Sequence, residues 1–193
     1  VVVAVLDTGV SAATASLQGV VLPGTDLAGG TGDVDCFGRG TFVASLIAGR
    51  AVDGTEFVGM APGATILPVR LTSDPESLFL STDLPGLLAR GITAAVEGGA
   101  RVIAMPLTAA SSSPELEQAV QAAVAADVLV VAAAAAPTTD ALAFPASIDG
   151  VLSVAPLDED GGADPSQLGA APDVAAPSGG LVGAVPDGAG HVT

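Results

Sequence analysis

Short runs of β-branched and aliphatic residues alternate along this chain with longer segments of helical period. That alternation decides the fold class. Residues 1–6, VVVAVL, form a continuous apolar run, which suits a strand buried on both faces. Residues 40–49, GTFVASLIAG, have helical spacing and stop at Gly49. Residues 64–71 read as a strand. Residues 83–98 place Leu84, Leu87, Leu88, Ile92 and Val96 on one stripe, with Gly98 and Gly99 as the stop. Residues 101–105 are a strand. Ser113 then caps a helix with Pro114 at its first position, Glu115 and Glu117 in its first turn, and Leu116, Val120 and Val124 as its inner stripe. Residues 127–133 and 151–154 are further strands. Strands separated by helices imply βαβ crossovers, hence a mostly parallel sheet with helices on both faces. Ligands and chemistry gather at the carboxyl ends of such strands. The rule selects the loops that begin at Asp7 and that follow Leu71, Met105 and Ala133.

No linker or internal repeat divides the 193 residues, so they are read as a single domain, 1–193. Half are hydrophobic but only 3% aromatic, so the core is built from Ala, Val, Leu and Ile. Five Arg, no Lys and 21 acidic residues give a net charge of −16. Nucleic acid and anionic membrane surfaces are disfavoured, because both need a basic face. The longest apolar run, residues 128–136, is bounded by Asp127 and Pro137, whereas a spanning helix needs about 20 apolar residues. The opening VVVAVLD has no basic n-region and no cleavage site, so no signal peptide is expected in these residues.

Asp7 directly follows a buried strand, in VAVLDTGV. By itself this leaves two readings open: a turn-forming carboxylate, or one aimed to orient a catalytic base. Further stretches carry a resemblance. GRGTFVASLIAG resembles the subtilase histidine motif GHGTxVAGxIAG, and GMAPGATILPVRL resembles the strand that follows it. LLARGITAAVEGGARVIAMPL, DVLVVAAAAA, FPASIDGVLSVAP and DVAAPSGGLVGAVP resemble later family segments, in the correct order. The similarity extends from about Val1 to Pro186 and is closest to the mycosins, the subtilases associated with actinobacterial type VII secretion. It implies a subtilisin-like three-layer α/β fold.

The departures from that pattern fall on the chemistry. In a subtilase a Ser attacks the peptide carbonyl, a His takes its proton, and an Asp orients the His. The resemblance places the Asp on Asp7 and the His on Arg39, whose guanidinium stays protonated and cannot act as a general base. In subtilisin, losing this base costs on the order of 10⁶ in turnover. The oxyanion-hole asparagine falls on Ala136, which has no donor, a loss of roughly 10²–10³. The family's GTSxA serine motif does not occur by Thr193, so the domain is expected to be truncated before the serine helix. The resemblance also puts Arg39 beside Asp7, where it neutralises a carboxylate left without its histidine.

Pro106, Leu107 and Thr108 stand where the family has the Ser-Leu-Gly edge that pairs with substrate backbone. Pro106 has no N–H, which weakens peptide capture by strand addition. Family members resembling this one pair the equivalent of Cys36 with a second cysteine. Here Ala110 stands near that place, so Cys36 is expected to pack as a small hydrophobe. The lone His191 is expected to be solvated. Asp26, Asp33 and Asp35 in one Gly-rich loop, and Asp158, Glu159, Asp160 and Asp164 in another, do not have EF-hand spacing. They are read as solvated turn acids. No metal or cofactor is expected, although the resemblance leaves calcium open.

The expected function is a catalytically inactive subtilase-like domain with a scaffold or interaction role, and a peptide or secretion-complex protein as partner. The resemblance places it outside the cytoplasmic membrane. Two alternatives stand beside this: a serine endopeptidase seen only in part, and a degenerate product without a role.

Overall fold

The structure, a computed structural model, describes residues 1–73, 81, 83–135, 142–158, 160–162, 172–186 and 191–192. Among the described residues, seven strands form one sheet: β1 (Val2–Asp7), β2 (Thr25–Asp26), β3 (Thr65–Arg70), β4 (Val102–Met105), β5 (Leu129–Ala133), β6 (Val151–Leu157) and β7 (Val174–Pro177). Their spatial order is β2-β3-β1-β4-β5-β6-β7, and every pairing is parallel. Among the described residues, three α-helices accompany it, α1 (Arg39–Ala48), α2 (Leu84–Glu97) and α3 (Pro114–Ala125).

The apolar run of residues 1–6 becomes an interior strand because both its faces are covered. Val3 and Val5 pack with Val10, Leu17, Ala44 and Ala48 on the α1 side. Ala4 and Leu6 pack with Leu88, Ile92, Leu116 and Val120 on the α2–α3 side. Each fully buried Leu or Ile contributes about 1.5–3 kcal/mol. Helix α2 lies close to the sheet at Gly91, where an added Cβ would meet Leu6 and Leu71 Cδ2 at 2.9 Å. The chain pairs β3 to one side of β1 and then returns to pair β4 on the other. The order therefore reverses at β1, which puts the topological switch point at Asp7.

Ser113 caps α3 as the residue pattern requires, its Oγ accepting from Leu116 N at 3.2 Å. Two sequence expectations need correction. Val124 is 40% exposed, because Ala123 takes the next inward position after Val120. Strand β6 extends past residue 154 to Leu157. Pro156 lies beyond the last residue that β6 shares with β5, Val154 opposite Ala133, and its missing N–H ends the ladder on that side after Ala134 N has donated to Val154 O at 2.8 Å. The Gly- and Pro-rich tail contributes β7 and a small antiparallel pair, β8 (Gly183–Ala184) with β9 (His191–Val192). That pair is anchored to α1, Ala184 N donating to Ser45 Oγ at 2.8 Å.

On the α1 side the sheet is only partly covered. Val43, Ala104, Pro106, Val131, Ala133 and Val154 are among the residues lining an open apolar cleft of about 420 Å³.

Candidate active site

Asp7 ends β1 at the switch point and is fully buried. Arg39 opens α1, one residue after Gly38, whose φ of +99° turns the chain into the helix. The two elements touch here because residue 40 is glycine: an added Cβ would lie 2.0 Å from Gly9 O. This approach puts the Arg39 side chain on the Asp7 carboxylate.

Arg39 Nε donates to Asp7 Oδ1 at 2.9 Å and to Oδ2 at 3.1 Å. Thr8 N donates to Oδ1 at 2.7 Å. The Arg39 side chain is 30% exposed, against 0% for Asp7. Burial pushes the Asp7 carboxyl above its usual range, and the Arg39 charge and hydrogen bonds oppose that rise. Arg39 Nη2 is buried and finds no hydrogen-bond partner among the described residues. The guanidinium thus donates toward Asp7, where a base-orienting arrangement would need an imidazole N–H, and being already protonated at neutral pH it has no site that can accept a proton.

The other sequence-predicted positions are less closely joined to this pair. Ala136 lies outside the described residues. Pro106 lines the apolar cleft, Thr108 is half-buried, and Leu107 is buried in the core on the α2–α3 side. After them Ala109 bridges Phe144, with Ala109 N donating to Phe144 O at 2.8 Å. His191 belongs to β9, and its side chain lies outside the described residues. Cys36 is exposed and free, so the expectation that it packs as a small hydrophobe is corrected: its neighbour Asp35 takes the inward position.

The loop acids are not uniformly solvated either. Asp26 pairs with Arg70 at 3.3 Å, both side chains 13% exposed. Asp35 is buried and accepts five hydrogen bonds from Thr8, Phe37, Gly38 and Thr41. Sequence reasoning missed Asp35 and Thr8. The available signal was an acid three residues before the Gly-Arg-Gly-Thr helix start, close to where a capping side chain belongs. Among the described residues, no group of three or more His, Cys, Asp or Glu side chains converges on a metal position. No helix among them is long and apolar enough to cross a membrane.

Fold and site together define an open parallel α/β domain with a buried aspartate at its switch point and a helix start facing it. The chain belongs to the subtilase family, whose family model matches residues 1–189. It is 33% identical over 181 residues to subtilisin DY of Bacillus licheniformis, covering 91% of this chain and 63% of the relative. Among solved structures, a mutant of the protease domain of PatA superposes with a TM-score of 0.80 at 30% identity, covering 99% of this chain and 71% of that one. MycP1 from the ESX-1 type VII secretion system superposes with a TM-score of 0.78 at 27% identity, covering 96% and 64%. The chain spans less than two-thirds of the length of the curated relatives it matches, 63% of subtilisin DY and 24% of fervidolysin.

Proposed function

We propose that this chain is a catalytically inactive, mycosin-like subtilase domain, a pseudoprotease that binds without cutting. The observation that carries this reading is Arg39 Nε on both Asp7 oxygens, at 2.9 and 3.1 Å. A permanently protonated donor fills the place where the family needs an exchangeable base. In subtilisin, losing that base costs on the order of 10⁶ in turnover. Ala136, at the position of the oxyanion-hole asparagine, removes a donor worth roughly 10²–10³. The retained fold then serves as a scaffold. Its partner is a peptide or a protein of a secretion complex, seated at the apolar cleft beside Pro106. The likeness to MycP1, described as part of a type VII secretion system, supports a role linked to such a system and a location outside the cytoplasmic membrane.

The test is the natural full-length product, incubated with a fluorophosphonate probe and with a mixed peptide library. The expected result is no labelling and no cleavage. Labelling together with turnover that a Ser→Ala change in a downstream GTSxA segment abolishes would establish the alternative, an endopeptidase using an unorthodox base.

A further inference from the structure

Asp35 sits in a loop four residues ahead of Arg39, yet it is only 3% exposed. A buried carboxylate normally has a cationic partner or a full set of donors. Among the described residues it makes no ion pair with any of the four paired arginines, which engage Asp7, Asp26, Asp83 and Asp127. Donors converge on it instead. Its Oδ1 accepts from Thr8 Oγ1 at 2.9 Å, Phe37 N at 3.0 Å and Gly38 N at 2.8 Å. Its Oδ2 accepts from Thr41 N at 2.9 Å and Thr41 Oγ1 at 2.7 Å.

These donors come from both sides of the Asp7–Arg39 pair. Thr8 follows Asp7, and its N–H donates to the Asp7 carboxylate at 2.7 Å. Gly38 and Thr41 flank Arg39 in the first turn of α1. The two sides are also tied to each other: Gly40 N donates to Thr8 Oγ1 at 3.2 Å, and Ser11 N to Thr41 Oγ1 at 2.9 Å. Capping a helix needs one or two bonds to its first turn. Here one carboxylate satisfies that turn and also holds the end of β1 through Thr8. The α1 N-terminus, with its partial positive charge, compensates the Asp35 charge and leaves the Arg39 guanidinium to Asp7.

We infer that Asp35 is a positioning residue of this site: its carboxylate fixes the start of α1 against the end of β1, and so sets where the side chain at position 39 meets Asp7. This rests on the Asp7–Arg39 geometry and not on whether the chain hydrolyses peptides, so it stands or falls separately from the proposed function.

The test reads the Arg39 Nε–H directly by ¹⁵N NMR hydrogen exchange in the intact chain, with no substrate. In Asp35→Asn, one oxygen becomes an NH₂ facing donors. The expected result is Nε–H exchange at least about tenfold faster, with the core amides of β1 and β4 keeping their protection. Unchanged Nε–H protection in the folded variant overturns the inference. So does an acceleration matched by the core amides, since that reports general loosening. Should Asp35→Asn fail to fold, Thr8→Val and Thr8→Ser replace it. Val removes the hydroxyl link while keeping the Thr8 N–H to Asp7, and Ser restores the hydroxyl. Faster exchange in Val, reversed in Ser, supports the inference, and equal rates in the two refute it.

Discussion

Replacing Arg39 with Ala strands the Asp7 carboxylate with a single backbone donor, Thr8 N at 2.7 Å. Removing one member of a buried ion pair costs about 3–5 kcal/mol. The Arg39 side chain is 30% exposed, so water partly screens the pair, and the figure falls to about 2–3 kcal/mol. A domain of this size loses about 2–4 °C per kcal/mol, which gives a melting-temperature drop of about 5–10 °C at neutral pH. The sign with pH follows from Asp7. Burial raises its folded-state value above the ordinary 3.8. A carboxyl whose folded value is raised binds its proton more tightly folded than unfolded. Its stability contribution is therefore intact below pH 3.8 and is lost as pH rises through the folded value. Arg39 limits that loss, because its charge holds the folded value down. Without Arg39 the loss deepens at neutral pH and disappears where Asp7 is protonated. Arg39→Ala should thus be more destabilising at neutral pH than at an acid pH where the Asp7 carboxyl is protonated. Adding Asp7→Asn should recover at least about 1 kcal/mol of the neutral-pH loss. The assay is thermal denaturation followed by circular dichroism at both pH values for parent, both single variants and the double variant. Equal losses at the two pH values, or a double variant no more stable than Arg39→Ala, would refute the argument.

Gly40→Ala drives a Cβ to 2.0 Å from Gly9 O and should destabilise by about 1–3 kcal/mol, read by urea denaturation. Ile92→Ala, at a fully buried position of α2, should cost about 2–5 kcal/mol in the same assay, whereas Val124→Ala, 40% exposed, should cost under about 1 kcal/mol. Ser113→Ala removes the α3 cap and should cost about 1 kcal/mol, visible as faster amide exchange in the first turn of that helix. Hydrogen bonds from Ser153 N and Oγ hold the Asp173 carboxyl below its usual range, so this group favours the fold above pH 3.8, an advantage lost as pH falls through its folded value. Ser153→Ala should move the Asp173 carboxyl titration upward by ¹³C NMR, and a titration left in place would contradict that assignment.

The central architecture was legible because its signals are local and redundant. The run at residues 1–6 reads as a strand covered on both faces, and Ser113-Pro114 with Glu115 and Glu117 marks a helix start at four of five consecutive positions. Asp7 and Arg39 were legible only through the resemblance of their motifs to those of the subtilases. Asp35 was not. It follows Gly32 and Asp33 in a loop whose composition says solvent, and its burial depends on donors from Thr8, 27 residues away, and from a helix turn that closes only when Gly40 meets Gly9. Composition carries no information about such a meeting. The strands β2, β7, β8 and β9 escaped for a related reason. They are two to four residues long, and pairing with a neighbour, not their own periodicity, makes them strands.

Strand β1 comes before the other strands of the sheet in chain order, yet it lies inside the sheet, between β3 and β4. Its register partners in β3 begin at Thr65, opposite Val2, so this interior strand must wait for some sixty residues of chain before it has a neighbour. From β4 onward each strand adds beside the one made before it, through β5, β6 and β7. The sheet therefore assembles outward on that side in the order in which the ribosome releases it. Parallel pairings at such separations close slowly and leave apolar strand edges open in the meantime. For this sheet the period of greatest exposure to aggregation falls before β3 reaches β1, and a pause in translation between Asp7 and Thr65 would lengthen it.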